Sequence, residues 1–489
     1  MKKLLCFALA VCIVLSASAV LALEGPIRAR FVYHSLLEKM ASEGIDVNDN
    51  RIANFHRENS GIDVQFEYAV VDGTEEKQLK AMMLASGDAP DLMIFDNFDY
   101  FQYAIDGVLT PTSQYLENMP NYMALVPQAA RDACMINGEL YALPGSHEEA
   151  ENYGGDGIDV RKDLFDTLGL DKEPQTLDEY FKMWKLVQEK YPDMIPFIGN
   201  NFNSFKAAYG VLAQTKAADD GSLYFTWASP AFKDYLTYMA KLYAEGILDK
   251  EYVNSSTANL QEKFLNNIAF STCTGWATNV VTINGVFTSV PGSELAYLTF
   301  PTVSSDKPAE LTKPFPSQRI NAIPASSQNG ELVAKFLEYM ATPEAKRVQD
   351  RGIEGIDYKL AADGSIEQTL DEQNAVGWKI VYEWIPTPAS FQVRLFVKGF
   401  DWSFYGNLAA RERSNVIGVE DALTFLPPSE DYLNLQQQLG LKAYSDEQAD
   451  KFIMGERSID EFDAYLDELE ARGLTKLTDA LNVWAASVK

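Results

Sequence analysis

Residues 62–68 read Ile62-Asp63-Val64-Gln65-Phe66-Glu67-Tyr68, an alternation of apolar and polar side chains with the period of a β-strand. Upstream lie an apolar segment, Ile27 to His34, that suits a strand, and a helical pattern from Asn48 to Glu58. Downstream, a helix from about Glu75 to Ala85 is stopped by Gly87 and Pro90, and the short apolar run Leu92-Met93-Ile94-Phe95 follows. Strand, helix, strand, helix, strand predicts a parallel α/β layer. Ligands of such sheets sit beyond the carboxyl ends of the strands, which places Asp96, Asn97, Phe98 and Tyr100 on the rim of a cleft.

Helix punctuation continues along the chain. Thr176 and Glu179 predict a capping box before Tyr180, Phe181, Trp184 and Val187, and Ser458 with Glu461 predicts another before Phe462, Tyr465, Leu466 and Leu469. Ser229 and Pro230 open a helix that Gly246 ends, and Leu332, Val333, Phe336, Leu337 and Met340 form a further stripe. These stripes are read as core. Breaks fall near Pro144-Gly145-Ser146, near Thr274-Gly275 and between Pro301 and Pro324, so two lobes are expected, crossed by the chain more than once.

The 489 residues are enough for two or three domains, and 47% apolar with 23% charged residues is globular composition. Met1-Lys2-Lys3 precedes an apolar run from Leu4 to about Leu23, which reads as an export signal over 1–22 with cleavage after Ala19 or Ala22. An uncleaved anchor is the alternative, because the run approaches the ~20 residues that span a bilayer. Loss of Lys2 and Lys3 leaves 39 basic against 70 acidic residues, about −31. Such a chain repels phosphate backbones and anionic head groups, so neither nucleic acid nor a membrane surface is an expected partner. Cys134 and Cys273 remain after export, both in apolar stretches, and are expected as buried thiols rather than a bridge.

Catalytic patterns are missing. His34, His56 and His147 have no zinc spacing, and no nucleophile elbow, phosphate loop or complete dinucleotide fingerprint occurs. Asp46-x-Asn48-x-Asn50 opens like a calcium loop, but Arg51 replaces the glycine and Arg57 the closing glutamate. No metal and no cofactor is expected. Aromatic residues are plentiful: 7 Trp, 24 Tyr and 27 Phe, with Trp227, Trp276, Trp378, Trp384 and Trp402 outside the helix stripes. Rings at a cleft suit the C–H faces of a neutral sugar, and Asp, Asn and Arg suit its hydroxyls.

Several blocks resemble family 1 extracellular solute-binding proteins, the capture subunits of carbohydrate-importing ABC transporters, and most of all the large group with alginate- and oligosaccharide-binding members. They are Met83–Asp91 (MLASGDAPD), Asn137–Pro144 (NGELYALP), Val160–Leu170 running into Pro174–Tyr180, Tyr243–Glu251 and Gly352–Tyr358. The resemblance implies a two-lobed, periplasmic-binding-protein-like α/β fold of type II with a ligand cleft between the lobes. The lobes expected are 23–144 plus 276–326 and 145–275 plus 327–489, with Arg319–Ala322 as the return between them. Trp276 falls where alginate binders carry a cleft tryptophan. Trp276 and Trp227 are therefore expected as stacking platforms, and Asp96, Asn97, His147 and Arg394 as hydroxyl partners. The calcium loop of the alginate-binding branch is replaced here by Lys190–Phe197 (KYPDMIPF). The expected function is capture of a neutral oligosaccharide by hinge closure, as a secreted monomer that serves a membrane permease. The alternatives are a binding protein for a peptide or other polar solute, and a secreted glycoside hydrolase.

Overall fold

The computed structural model describes residues 23–31, 34–69, 73–146, 157–199, 202–273, 289–364, 366–369, 372, 375–387, 409–426 and 429–487. Residues 1–22, Trp276, His147 and Arg394 lie outside them.

The alternating stretch forms the strand Ile62–Glu67 (β2), paired in parallel with Glu24–Arg30 (β1), which pairs in parallel with Leu92–Phe95 (β3). The first strand thus begins three residues earlier than its apolar pattern suggested. The helix Arg51–Ser60 between β1 and β2 starts at Asn50, whose side chain accepts from the Ile52 and Ala53 amides at 3.0 Å. The short strand Leu143–Ser146 (β4) later adds to this sheet.

A second sheet is built from Ile158–Arg161 (β5), Ile195–Ile198 (β6), Ala269–Thr272 (β7) and Leu295–Leu298 (β8), in the order β8-β5-β7-β6. Ala309–Thr312 (β9) pairs in parallel with Val416–Val419 (β11), and Ala309 and Leu311 pack on Ala207 and Phe300 of the same lobe. Ser317–Ala322 (β10) then re-enters the first sheet, antiparallel between β3 and β4, giving the order β2-β1-β3-β10-β4.

Each lobe has a main core of its own. One joins Ile27, Val64 and Leu92 to Val333, Phe336, Leu337 and Met340 of the helix Gly330–Met340, and to Trp378 and Trp384. The other gathers Tyr180, Trp184 and Val187 with Phe232, Tyr235, Leu236, Met239 and Leu242, and with Tyr465, Leu469 and Trp484 from the end of the chain.

The lobe boundaries differ from those expected. Leu295–Leu298 belongs to the second sheet because it pairs with Ile158–Arg161, whereas 276–326 had been assigned whole to the first lobe. The helix Gly330–Met340 and residues 376–385, assigned to the second lobe, stay on the first. Their apolar stripe covers β1 and β2, and Trp384 stacks on Phe31 at 5.4 Å. Arg319–Ala322 is a strand within the first sheet, so the return crossing precedes it.

Local rules held at most helix ends. The Thr176–Glu179 capping box forms in full, and Pro230 occupies the first turn of Pro230–Ala244. The second expected box does not form. Ser458 Oγ accepts from the Asp460 amide instead, and a 3₁₀ turn, Ile459–Glu461, precedes the helix Phe462–Arg472. The block 137–144 is a hairpin start, with Asn137 and Gly138 at φ 51° and 80° turning Met135–Ile136 onto Glu139–Leu140. Asp91, last of the block 83–91, accepts the Arg28 amide at 2.8 Å, the Ser327 hydroxyl at 2.6 Å and the Asn329 amide at 3.1 Å. That motif therefore fastens β1 and β3 to the chain that returns after β10. Cys134 and Cys273 lie in different cores and are not disulfide-bonded, and burial raises the Cys134 thiol to about 12.

Gly145 marks a close approach. A Cβ there would stand 2.3 Å from the Pro386 ring, while the next residue, Ser146, donates its amide to the Pro386 carbonyl at 2.9 Å. Gly145→Ala is expected to cost about 1–3 kcal/mol by overpacking. Thermal unfolding checks this, and an unchanged melting temperature would show that the Pro386 segment yields freely.

Candidate functional site

Beyond the carboxyl end of β3 a cleft of about 930 Å³ opens, walled by both lobes. The first lobe contributes residues of the helix Gly73–Ser86, of β3 and the turn after it, and of β10. The second contributes Gln214, Asp421, Leu423, Thr424 and the helix Glu430–Leu439. Its position follows from topology. In the order β2-β1-β3 the connections leave to opposite sides of β1, and the diverging loops leave a crevice.

Asp96 and Asn97 lie on this wall, as the strand reading predicted, whereas Tyr100, expected beside them, is buried in the core. Asp96 caps the helix Asn97–Ile105 by accepting the Asp99 amide at 2.8 Å, and it pairs with Lys77 Nζ at 2.9 Å. Lys77 also approaches Asp99 at 3.5 Å. Burial, then the neighbouring Asp96 charge, raises the Asp99 carboxyl above its usual range despite Lys77 and Lys80. Asn97 crosses the cleft, its amide donating to the Thr424 carbonyl at 3.4 Å.

Other charges on the wall are engaged as well. Glu76 holds Arg30 through two bonds of 2.8 and 2.7 Å in a buried pair. Lys80 donates to the Ile94 carbonyl at 2.7 Å, and burial lowers its pKa. Asp421 accepts from the Gln214 amide at 2.7 Å, the Thr215 hydroxyl at 2.5 Å and the Leu423 amide at 3.1 Å. Arg319 turns to the buried Glu383, pairing Nη1 with a carboxylate oxygen at 3.0 Å. Arg319 is the extra residue of a β-bulge, since Gln318 faces Gly145 while Ile320 faces Pro144, and its φ of 51° is left-handed.

Trp227 is a correction. It is 4% exposed in the core of the second lobe, stacked on Phe225 at 4.8 Å, with its carbonyl accepting from the Tyr465 hydroxyl at 2.9 Å. It borders a smaller cavity of about 350 Å³ within that lobe, not the cleft between the lobes. The 3₁₀ turn Thr226–Ala228 that points its ring inward had read as a loop.

Sequence reasoning missed Gln318 and Tyr432, which line the cleft from the two lobes. Gln318 sits on a bulge that no sequence pattern announces. Tyr432 sits in the first turn of a helix, where an aromatic residue reads as core, and its ring does pack at a tilt against Trp484, 4.8 Å between centroids.

No group of three or more His, Cys, Asp or Glu side chains placed to hold a metal occurs among the described residues. His56 is buried, with Nδ1 3.2 Å from the Tyr339 hydroxyl, and burial lowers its pKa to about 3. It is a core residue of the first lobe.

Solved structures share this architecture. The fructooligosaccharide-binding protein FusA of Streptococcus pneumoniae, in complex with kestose, matches at a TM-score of 0.70 with 19% identity, over 95% of this chain and 99% of that one. The alginate-binding protein AlgQ2 without calcium ion matches at 0.65 with 18% identity, over 96% and 99%. These likenesses establish the two-lobed fold. In sequence, FusA is 25% identical over 233 residues, 42% of this chain and 43% of FusA. The polygalacturonan/rhamnogalacturonan-binding protein YtcQ of Bacillus subtilis is 25% identical over 209 residues, 40% of this chain and 41% of YtcQ. The chain thus spans about two fifths of the length of these two curated relatives. Residues 37–347 match the description of a bacterial extracellular solute-binding protein, and with well over half its length inside that match, the chain belongs to this family.

Proposed function

We propose that the protein captures a neutral oligosaccharide outside the cell, closes its lobes on it and delivers it intact to the permease of an ABC importer, acting as a monomer. The observation that carries this reading is the charge balance of the cleft. Its described wall holds three cations, Lys77, Lys80 and Arg319, against four anions, Glu76, Asp96, Asp99 and Asp421. Each is bonded to an opposite charge or to neighbouring polar groups. A polyanion would find no surplus of positive charge there, and the chain as a whole repels it. A hydrolase would need a carboxyl pair free to exchange protons, whereas Asp96 and Asp421 are held by capping and backbone bonds.

Closure follows from a wall shared by two lobes. A ligand that touches both only in the shut state shifts the population by its differential affinity, ~5.5 kcal/mol for a swing from 1:99 to 99:1. Trp276, His147 and Arg394 are proposed to complete the site, Trp276 as a stacking platform. Ser146, the residue before His147, pairs with Ser317 on the cleft wall, which supports that candidate.

Calorimetry with neutral and uronic oligosaccharides, with peptides as a control class, tests the proposal. Stoichiometric heat with a neutral sugar, contraction in solution scattering and no product are expected. Preference for peptide or uronate, or turnover of the sugar, would sink it. Trp276→Ala should weaken sugar binding about tenfold or more without unfolding the protein. An unchanged dissociation constant removes Trp276 from the site.

A further inference from the structure

The charged side chains of the described cleft wall are engaged, but two of its neutral side chains each carry an orphaned polar atom. Gln318 Oε1, beside the bulge of β10, and the Tyr432 hydroxyl, on the helix Glu430–Leu439, are buried with no hydrogen-bond partner among the described residues. Orphaned buried polar atoms are rare and destabilising, and each asks for a reason. Packing does not supply one for Tyr432. The residue is 2% exposed, and its contact with Trp484 needs only the ring, which phenylalanine would provide. Pairing with Gly145 engages only the backbone of Gln318 and gives no reason for its side-chain oxygen. The bulge beside it requires a left-handed Arg319, a strained conformation that persists where the surroundings hold it in place.

We propose that Gln318 and Tyr432 form a hydroxyl clamp divided between the lobes. A ligand hydroxyl donates to Gln318 Oε1 from the first-lobe side, and the Tyr432 hydroxyl bonds a second ligand oxygen from the second-lobe side. This deepens the function proposed above and rests on it. Burial raises the Tyr432 phenol above its ordinary range, so it remains a neutral donor at physiological pH. Because the two partners belong to different lobes, both bonds form only when the lobes shut on the ligand, which gives the differential affinity that closure requires. Buried polar groups built for hydroxyls also discriminate strongly, since an analogue lacking one leaves its partner unpaired again.

The test titrates kestose, maltotriose and xylotriose into the wild-type protein, Gln318→Met, Tyr432→Phe and the double variant, and records melting temperature and scattering contraction. Both replacements nearly keep the side-chain volume, and Tyr432→Phe keeps the ring contact with Trp484. Each single variant is expected to weaken the trisaccharide that binds by about tenfold or more, with a melting temperature equal to or above that of the wild type. The double variant is expected to lose the contraction. Wild-type affinity in both single variants overturns the clamp and leaves the proposed function standing. Weakening in only one overturns its division between lobes. Binding of none of the three sugars to the wild type counts against the function as well as the clamp. Should Gln318→Met fail to fold, Tyr432→Phe alone decides, because wild-type binding by it removes the second-lobe half.

Discussion

Glu383→Leu is expected to lower the free energy of unfolding by about 3–5 kcal/mol, the cost of stranding buried cations. Glu383 is 2% exposed and stands between two cations that are themselves buried. Arg319 Nη1 meets one carboxylate oxygen at 3.0 Å, and Lys346 Nζ lies 3.5 Å from the other. Lys346 keeps the Ile385 carbonyl at 2.9 Å and Gln349 Oε1 at 3.0 Å, so its position survives the substitution while the Glu383 charge is lost. Arg319 also donates to the Glu383 backbone carbonyl, which ties the bulge of β10 to the segment before Pro386. Ser317 and Gln318 beside it line the cleft, so ligand affinity should fall together with stability. Urea unfolding reads the first effect and calorimetry the second. Glu383→Leu combined with Lys346→Met should recover part of the lost stability, since one stranded charge is removed. A wild-type urea midpoint in Glu383→Leu would show that Arg319 and Lys346 reach water or another anion.

Acidification should destabilise the protein through His56. Burial holds its titration at about 3, against an ordinary value of 6.5. Its Nδ1 meets the Tyr339 hydroxyl, its Nε2 has no partner among the described residues, and the Phe55 and Tyr339 rings stand edge-on to it at 5.9 Å. The unfolded chain takes up the proton first, so the contribution of neutral His56 is fully present above pH 6.5. It is lost as pH falls toward 3, and reaches roughly 3 kcal/mol of lost stability at pH 4. His56→Leu removes the titrating group, so its acid loss between pH 7 and pH 4 should be smaller by that amount. Equal losses in the two proteins, measured by denaturant unfolding at both pH values, would show that His56 is protonated inside the fold.

Much of this molecule was legible before any coordinates. The period-two alternation of Ile62–Glu67 and the apolar run Leu92–Phe95 marked the parallel layer, because a strand's faces are set by residues two apart. Asn50, Thr176 and Pro230 sit at helix starts for local reasons, since orphan amides need an acceptor within a few residues and proline lacks the amide hydrogen. From the same topology came Asp96 and Asn97 at the cleft, because chain direction alone fixes which end of a parallel strand a following residue occupies. The order of the family blocks likewise carried the two-lobed class.

Only tertiary structure decided which lobe each later segment joins. The stripe of Gly330–Met340 is equally apolar toward either sheet, and covering β1 and β2 settled it. Trp227 shows the same limit, for a tryptophan in a three-residue turn has no periodicity to say whether its ring faces core or cleft. The bulge that places Gln318, the buried partner of Arg319 at Glu383 and the reach of Tyr432 to the cleft wall all depend on contacts between segments dozens of residues or more apart. Short-range steric and hydrogen-bonding preferences write the elements into the chain, whereas burial is shared among elements and has no address until they pack.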